Sequence, residues 1–203
     1  CNSPTQVVIA KEKQQGVYTR RKSMDTVRKE LEAMVERYNP NFLYINDDAF
    51  MARPRSELFD FAEMYKDFKL PFWCQTRFED VDEEKIGWLR EVGLYRMSFG
   101  LEHGNQEYRR KYLKRNMPNE VIVKGLQLTK EVGIPFSINN IIGFPYETYE
   151  LAFDTVRINR EFDADDENSE KGLTSGKKKY DTAEKELLLY YRNGKLDNII
   201  NNL

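Results

Sequence analysis

The chain has 203 residues and a formal net charge of −2, with 40 % hydrophobic and 33 % charged residues. This length can bury a substantial core in one domain. The near-neutral charge gives no global basic field that would attract nucleic acid or anionic lipid, and the apolar runs are too short for a membrane-spanning helix. The two cysteines, Cys1 and Cys74, rule out a disulfide framework, so we expect a reducing, cytoplasmic setting.

The first residue is Cys1 rather than a methionine. We interpret the chain as a fragment of a longer protein, and we expect its first element to be a loop. A start codon at this position would instead favour a natural remnant of a larger fold.

Apolar periodicity predicts four helices and four strands in alternation. Helices are indicated where apolar residues recur at i, i+3 and i+4, and strands where short β-branched or aromatic runs end at turn residues. In chain order we predict a helix over 23–38, a strand over 42–45, a helix over 54–68, a strand over 72–76, a helix after Asp82, a strand over 94–100, a helix capped by Asn119, and a strand over 134–142.

One sequence pattern that connects a helix to a strand occurs twice in the chain. Residues 91–94 and 131–134 both read as a helix end, a glycine and a strand start, about forty residues apart. A period of this size also occurs in helical solenoids, but the β-rich runs between the helices favour βα units and a parallel sheet. The pattern does not separate a barrel from a doubly wound sheet.

The character of the chain changes after Phe162. Residues 163–181 form an acidic and polar stretch that we interpret as a solvated linker. Residues 182–203 are predicted to form a helical tail without an assigned function. Residues 1–162 would then form the folded domain.

Polar residues gather where the predicted strands end. In parallel βα folds the carboxyl ends of the strands meet at one edge and bind ligands there. Carboxylates and a guanidinium at such an edge suit the ammonium, carboxylate and hydroxyl groups of an amino acid and a ribose. The strand ends carry Asn46, Asp47 and Asp48, then Gln75, Thr76 and Arg77, then residues 100–104, and finally residues 139–148.

Each of these residues also has a simpler structural interpretation. Asp47 or Asp48 could cap a turn, and Arg77 could pair with a carboxylate two or three residues later. His103 is the only histidine, and a lone histidine is more often a hydrogen-bonded structural group than a ligand. Cys74 is expected to face the core as a small apolar residue.

Four stretches, in this order, resemble motifs of the radical S-adenosylmethionine superfamily. Residues 1–4 resemble the end of the Cys-x-x-x-Cys-x-x-Cys loop, and residues 44–50 resemble an aspartate-rich second-strand motif. Residues 98–104 resemble the fourth-strand motif, and residues 140–148 are close to the fifth-strand pattern. The resemblance covers about residues 1–162 and is greatest to the branch whose members often carry an upstream cobalamin-binding domain.

The resemblance implies an α/β fold, namely an incomplete parallel β/α (TIM-like) barrel. This barrel is truncated before its second strand, so its first strand is missing. Cys1 would be the third loop cysteine and a ligand of a 4Fe–4S cluster. The cluster would cleave S-adenosylmethionine to a 5′-deoxyadenosyl radical, and cobalamin-dependent relatives often transfer a methyl group. The implied partners are a small-molecule or biosynthetic-intermediate substrate and a reductant protein such as flavodoxin or ferredoxin.

The resemblance also implies roles for residues at the strand ends. S-adenosylmethionine would be held through its ammonium, its carboxylate, its polar edge and its adenine. The residues implied are Asp47 and Asp48 for the ammonium, Arg77 for the carboxylate, Glu102 and Asn140 for the polar edge, and Ile142 with Gly143 for the adenine.

The sequence departs from the family pattern at both ends. Two cluster cysteines and the first strand are absent, and no apolar run follows Phe162 where a sixth strand is expected. We therefore predict no radical activity for the chain as given. Two alternatives are a non-catalytic barrel remnant that acts as a binding module, and an ordinary barrel enzyme with a divalent metal. The metal ligands would be Asp47, Asp48, Glu102 and His103.

Overall fold

The structure is a computed structural model that describes residues 3–18 and 20–162. Its helices are α1 (Ser3–Glu12), α2 (Met24–Tyr38), α3 (Arg55–Tyr65), α4 (Glu83–Glu91), α5 (Gln106–Lys111), α6 (Asn119–Glu131) and α7 (Tyr149–Phe162). Its strands are β1 (Leu43–Ile45), β2 (Phe72–Thr76), β3 (Leu94–Glu102) and β4 (Phe136–Asn140). Short 3-10 helices cover Phe50–Ala52 and Phe78–Asp80. No helix in these two ranges is long and apolar enough to span a membrane.

The four strands form one parallel sheet in the order β1-β2-β3-β4. Because strand order follows chain order, each helix between two strands is a crossover to the neighbouring strand. Within the described residues the sheet does not close. The predicted α/β architecture, an incomplete parallel β/α barrel, is therefore confirmed as an open four-stranded sheet with its connecting helices.

The repeated helix–glycine–strand joint is a consequence of backbone conformation. Gly93 has φ +120° and Gly133 has φ +73°, values that side chains disfavour and glycine adopts freely. At Gly93 a Cβ would also lie 2.6 Å from the carbonyl oxygen of Leu70. The glycine thus lets the end of α4 turn directly into β3 beside the loop that leads into β2.

One face of the sheet builds the core against the helices. The Phe72 ring lies 6.0 Å from the Phe61 ring and 5.1 Å from the Tyr65 ring, both on α3. Phe78 stacks on Phe99 of β3 with centroids 4.7 Å apart. The residues of β2 and β3 that face the helices occur at every second position and are buried: Phe72, Cys74, Thr76, Met97, Phe99 and Leu101.

The other face of the sheet is lined by polar and aromatic side chains. Trp73 Nε1 donates to Ser98 Oγ at 2.9 Å, and Ser98 Oγ lies 2.6 Å from Ser137 Oγ. Gln75 donates to the hydroxyl of Tyr44 in the same row. This row runs across all four strands, so the face away from the helices is hydrophilic along its width.

The polar side chains at two helix starts have different roles. The Ser23 side chain accepts from the backbone N–H of Thr26 and caps α2. The predicted cap Asn119 is wrong, because α6 is preceded by Pro118 at the N-cap and Asn119 is its first residue. The Asn119 side chain instead accepts a hydrogen bond from Arg109.

The structure contains elements that the periodicity did not predict. The expected initial loop is wrong, since Ser3–Glu12 form the helix α1. The helices α5 and α7 were also missed. The predicted linker 163–181, the helical tail 182–203 and Cys1 lie outside the described residues.

Candidate functional site

The strands end at a common edge, which we call the rim. It follows Ile45 of β1, Thr76 of β2, Glu102 of β3 and Asn140 of β4. Three strand spacings of about 4.8 Å give a sheet width of roughly 14 Å from β1 to β4. A ligand that touches both ends of the rim must therefore be extended.

Asp47, after β1, is held by two partners. Its Oδ2 accepts from Arg53 Nη2 at 2.6 Å, and its Oδ1 accepts from the backbone N–H of Ala49 at 3.2 Å. Arg53 also lies 3.6 Å from Glu57. The carboxylate thus forms a turn and an ion pair, as the simpler interpretation of this residue proposed. Asp48 is exposed.

Arg77, after β2, pairs with its own 3-10 helix. Its Nε donates to Asp80 Oδ2 at 2.8 Å, its Nη2 donates to Asp80 Oδ1 at 3.3 Å, and its Nη1 lies 3.6 Å from Glu79. The hydrogen bond to Asp80 raises the pKa of Arg77 above its ordinary value. The Arg77 guanidinium therefore already has an anionic partner in Asp80, and the Arg77 side chain is half-exposed.

Glu102 ends β3 in a left-handed backbone conformation, φ +65°, that is uncommon for residues with a side chain. The register between β3 and β4 shifts here, and the Glu102 carbonyl accepts from Ile141 N–H at 2.8 Å. The carboxylate lies 3.4 Å from Arg115. A Cβ at position 100 would approach Glu102 Oε1 to 2.6 Å, so Gly100 leaves room for this side chain.

Asn140, at the end of β4, faces the helix layer. Its amide exchanges hydrogen bonds with Asn159 of α7 at 3.0 and 3.1 Å, and it also donates to Ile138 O. Gly143, with φ +92°, donates its backbone N–H to Glu147 Oε2 at 2.6 Å, while Ile142 is half-buried beside it. The predicted residues after β3 and β4 are thus adjacent, whereas Asp47 and Asp48 lie at the far end of the rim.

A buried pair joins the loops after β3 and β4. His103 Nε2 lies 3.0 Å from Glu147 Oε1, with side chains 0 % and 1 % exposed, although the angles are not those of an aligned hydrogen bond. His103 Nδ1 accepts from the backbone N–H of Asn105 at 3.0 Å, so the ring proton is on Nε2, facing the carboxylate. Tyr108 stacks on the imidazole at 4.2 Å.

Arg109 is fully buried below these loops. Its Nη1 donates to the carbonyls of His103 and Gly104 at 2.7 and 2.9 Å, and its Nη2 donates to the Met117 carbonyl at 2.9 Å. Burial, with a smaller contribution from Arg115, lowers the pKa of Arg109 to about 10. The guanidinium therefore carries its charge at neutral pH and fixes three backbone carbonyls behind the rim.

Sequence reasoning missed the roles of Glu147 and Arg109. Glu147 lies in the stretch 140–148 that was assigned to the rim. Its spacing of four residues from Gly143, whose N–H it accepts, was the signal that could have revealed its role. Arg109 lies in a run of basic residues that is typical of an exposed helix, and only the fold shows that it is buried.

The residues that the structure describes hold no group of three His, Cys, Asp or Glu side chains that could bind a metal ion. His103, a proposed ligand of the divalent-metal alternative, has both ring nitrogens directed at protein atoms. Burial, with Asp47 as a second cause, raises the pKa of the Cys74 thiol to about 12. Cys74 is thus a buried neutral thiol, as expected for a core residue.

The family model described as the Radical SAM superfamily matches residues 1–157. The chain belongs to the radical SAM superfamily. The resemblance stated from the sequence motifs is confirmed, and the open parallel sheet is that part of the family's TIM-like barrel which the described residues contain.

Relatives of this radical SAM chain include anaerobic magnesium-protoporphyrin IX monomethyl ester cyclase from Rubrivivax gelatinosus. The two are 26 % identical over 145 residues, which cover 67 % of this chain and 25 % of the cyclase. The chain therefore spans about a quarter of the length of this curated relative.

Solved structures show the same fold. The cobalamin-dependent S-adenosylmethionine radical enzyme OxsB, with aqua-cobalamin bound, matches with a TM-score of 0.58 and 18 % identity over 68 % of this chain and 22 % of that chain. The radical S-adenosylmethionine methyltransferase TsrM from Kitasatospora setae matches with a TM-score of 0.57 and 17 % identity over 70 % of this chain and 29 % of that chain.

Proposed function

We propose that this chain is part of an enzyme that binds a 4Fe–4S cluster and S-adenosylmethionine and generates a 5′-deoxyadenosyl radical. The observation that supports this most is the family match over residues 1–157, together with carboxylates and glycines at the carboxyl rim of a parallel sheet. Ligands of parallel βα folds bind at this edge.

The described residues do not themselves fit a cluster, because they contain no three-ligand group and their one cysteine is the buried Cys74. In this proposal the ligands are Cys1 and two cysteines upstream of it in a longer natural protein. The part played by the described residues is therefore to bind and orient S-adenosylmethionine at the rim.

The rim fits the polar groups of S-adenosylmethionine in part. Asp48 is exposed and Glu102 is 32 % exposed at its side chain, so these carboxylates could accept from an ammonium and from ribose hydroxyls. Backbone groups of Ile142 and Gly143, beside Glu102, would contact the adenine. S-adenosylmethionine, when bound at a reduced cluster, supplies the radical.

Three other proposed contacts involve side chains that already have protein partners. Asp47 would have to share its carboxylate between Arg53 and the ammonium, and Arg77 would have to leave Asp80 to reach a carboxylate. Asn140 would serve the ligand while it keeps its amide pair with Asn159. We therefore propose Asp48, which is exposed, and Glu102, whose contact with Arg115 is 3.4 Å long, as the stronger contacts and these three as secondary.

A second candidate function is cobalamin-dependent methyl transfer, with the cobalamin bound by a domain outside this chain. It is favoured by the fold likeness to OxsB and TsrM, whose names describe cobalamin-dependent and methyltransferase enzymes. The proposed partners are a small-molecule or biosynthetic-intermediate substrate and a flavodoxin or ferredoxin as reductant, in the cytoplasm.

The test is S-adenosylmethionine affinity in the natural, longer protein with its cluster reconstituted anaerobically. Asp48→Asn and Glu102→Gln should each weaken binding at least about tenfold, because a hydrogen bond to a charged group contributes about 1.5–3 kcal/mol. Asp67→Asn is the matched control, an exposed carboxylate paired only with Arg28 at the end of α3. Unchanged affinity in both rim variants would overturn the proposed site, and a natural protein without further cysteines would favour the binding-module alternative.

A further inference from the structure

Four rings form a continuous stack from the core to the surface at the rim. His103 stacks on Tyr108 at 4.2 Å, Tyr108 lies 4.7 Å from Tyr112, and Tyr112 stacks on Tyr146 at 5.5 Å with an interplanar angle of 27°. His103 and Tyr108 are buried, while Tyr112 is 40 % and Tyr146 is 79 % exposed. The stack joins the loop after β3, through α5, to the loop after β4.

Tyr146 is held in an unusual conformation for an exposed aromatic residue. Its φ is +66°, a left-handed value that an aromatic residue adopts at a cost and that glycine would adopt freely. The preceding residue is fixed, because the Tyr108 hydroxyl donates to the carbonyl of Pro145. Strained residues concentrate at functional sites, and the exposed ring makes a ligand contact the natural explanation here.

The segment that carries Tyr112 is strongly basic. Residues 106–115 contain five Lys or Arg and one Glu, a net charge of +4, in a chain of net charge −2. Three of these cations are engaged, Arg109 with carbonyls, Arg110 with Glu107 and Arg115 with Glu102. Lys111 and Lys114 are the two that have no anionic partner among these contacts.

The position of Lys111 links this charge to the stack. Its Nζ lies 5.0 Å from the centroid of the Tyr112 ring, a cation–π contact. Lys114 is exposed three residues later, in a left-handed conformation of φ +54°. Lys111 thus contacts the stacked tyrosine pair directly, and Lys114 lies exposed on the same short basic segment.

We propose that Tyr112, Tyr146, Lys111 and Lys114 bind a planar aromatic group that carries an anionic substituent. The Tyr146 ring offers the stacking surface, and the two ammonium groups offer charge complementarity to a carboxylate or a similar anion. A neutral aromatic group would leave the lysines unexplained, and a simple anion would leave the strained Tyr146 ring unexplained. The short patch lacks the extended basic groove that single-stranded nucleic acid requires.

The proposed occupant is part of the substrate, and this assignment rests on the proposed function. The stack begins at His103, next to Glu102, and ends at Tyr146, three residues after Gly143. It therefore belongs to the two loops proposed to contact S-adenosylmethionine, and an aromatic group bound on Tyr146 would lie beside the same edge of the sheet.

The test is a fluorescence titration with 1-pyrenebutyrate on the natural protein, without cluster or S-adenosylmethionine. The neutral analogue 1-pyrenebutanol and a 20-nucleotide RNA serve as comparison probes. We expect saturable binding of pyrenebutyrate, several-fold weaker binding of pyrenebutanol, and no RNA binding that depends on Tyr146. The variant Lys111→Gln/Lys114→Gln should reduce pyrenebutyrate affinity to that of the alcohol.

Substitutions in the stack distinguish binding at a specific site from nonspecific hydrophobic binding of the probe. Tyr112→Leu and Tyr146→Gly should each weaken pyrenebutyrate binding at least about fivefold, since aromatic stacking contributes about 1–3 kcal/mol per planar group. Tyr146→Phe keeps the ring and should retain binding, and Tyr95→Leu, a 58 % exposed tyrosine near the amino end of β3, is the control.

Any of three results with the pyrene probes would overturn the proposal: affinity unchanged in both stack variants, an equal loss in the Tyr95 control, or equal affinity for acid and alcohol. RNA binding that is lost with Tyr146 would overturn it in favour of a nucleic-acid partner. Because no cluster or S-adenosylmethionine is present, a failure of the radical chemistry would not affect this titration. The two proposals can therefore fail separately.

Discussion

Nε2 of His103 and Oε1 of Glu147 lie 3.0 Å apart in a contact that water does not reach. The two residues belong to the loops after β3 and β4, and the other carboxylate oxygen of Glu147 accepts the backbone N–H of Gly143. The pair therefore holds both loops in one arrangement. Its role is to position the rim backbone, and neither side chain is available to a ligand.

Removal of Glu147 should destabilise the fold. Glu147→Ala removes the buried carboxylate that faces Nε2 of His103 and the acceptor of the exposed Gly143 N–H, and deleting one partner of a buried polar pair costs about 1–3 kcal/mol. Urea unfolding measures the change. The control Glu107→Ala removes an exposed pair with Arg110 and should cost at most about 1 kcal/mol. Equal losses in the two variants would contradict the positioning role.

The buried Arg109 gives a second stability prediction. Arg109→Lys keeps the charge, but a single ammonium cannot reach the four acceptors that the guanidinium contacts on His103, Gly104, Met117 and Asn119. We expect a loss of about 3 kcal/mol, the range for breaking a buried charged network. Arg110→Lys, at a 61 % exposed side chain, is the matched substitution and should be nearly silent. A silent Arg109→Lys variant would show that the network contributes little.

Close packing of α7 gives a third prediction. A Cβ at Gly104 would lie 2.3 Å from the carbonyl oxygen of Asp154 and 2.4 Å from the nitrogen of Thr155. Gly104→Ala should therefore displace α7 and cost about 1–3 kcal/mol. Gly87→Ala, in α4 with no atom within 4 Å of the new Cβ, should stabilise by roughly 0.5–1 kcal/mol. Both are measured by thermal or urea unfolding, and the same sign of effect in both variants would contradict this packing.

The buried thiol of Cys74 predicts a specific sensitivity to alkaline pH. Burial raises its pKa from 9.0 to about 12, so the native state keeps a proton that the unfolded chain loses. This stabilisation is complete below about pH 9 and declines as the pH rises toward 12, by about 1.4 kcal/mol per pH unit at most.

Cys74→Ala should therefore flatten the pH dependence. The variant is less stable than the original at pH 8, because it creates a small cavity, and the difference should shrink steadily at pH 9, 10 and 11. Tyr65 and Tyr108, whose pKa values burial also raises, contribute equally in both proteins. If the free energies of unfolding of the two proteins change with pH in parallel, Cys74 is not the source of this sensitivity.

The order of the four strands and of the helices α2, α3, α4 and α6 was predictable because periodicity and glycine chemistry act locally. The strand 72–76 was predicted with its observed bounds, and the joints at Gly93 and Gly133 were found from their repeated surroundings. Since parallel strands end at one edge, the strand order along the chain was enough to predict a common rim.

The partners of the rim residues were not predictable, because they depend on tertiary distances. Nothing in the sequence distinguishes Arg109, fully buried, from Arg110, exposed, in the same basic run. Asn119 has the residue type of a cap but serves Arg109, since Pro118 occupies the N-cap. Asn140 likewise pairs with Asn159 of α7, a helix that the pattern did not reveal.

Radical generation is tested most directly by 5′-deoxyadenosine formation, after anaerobic reconstitution and reduction, in a protein that carries the proposed cysteines upstream of Cys1. We predict about four iron atoms for each chain. Deoxyadenosine should form only when a reductant is present, and the variant Cys1→Ala should form none. The 203-residue chain alone should form none. A reconstituted protein with a full cluster that leaves S-adenosylmethionine uncleaved, or cleavage that survives Cys1→Ala, would contradict the proposed function.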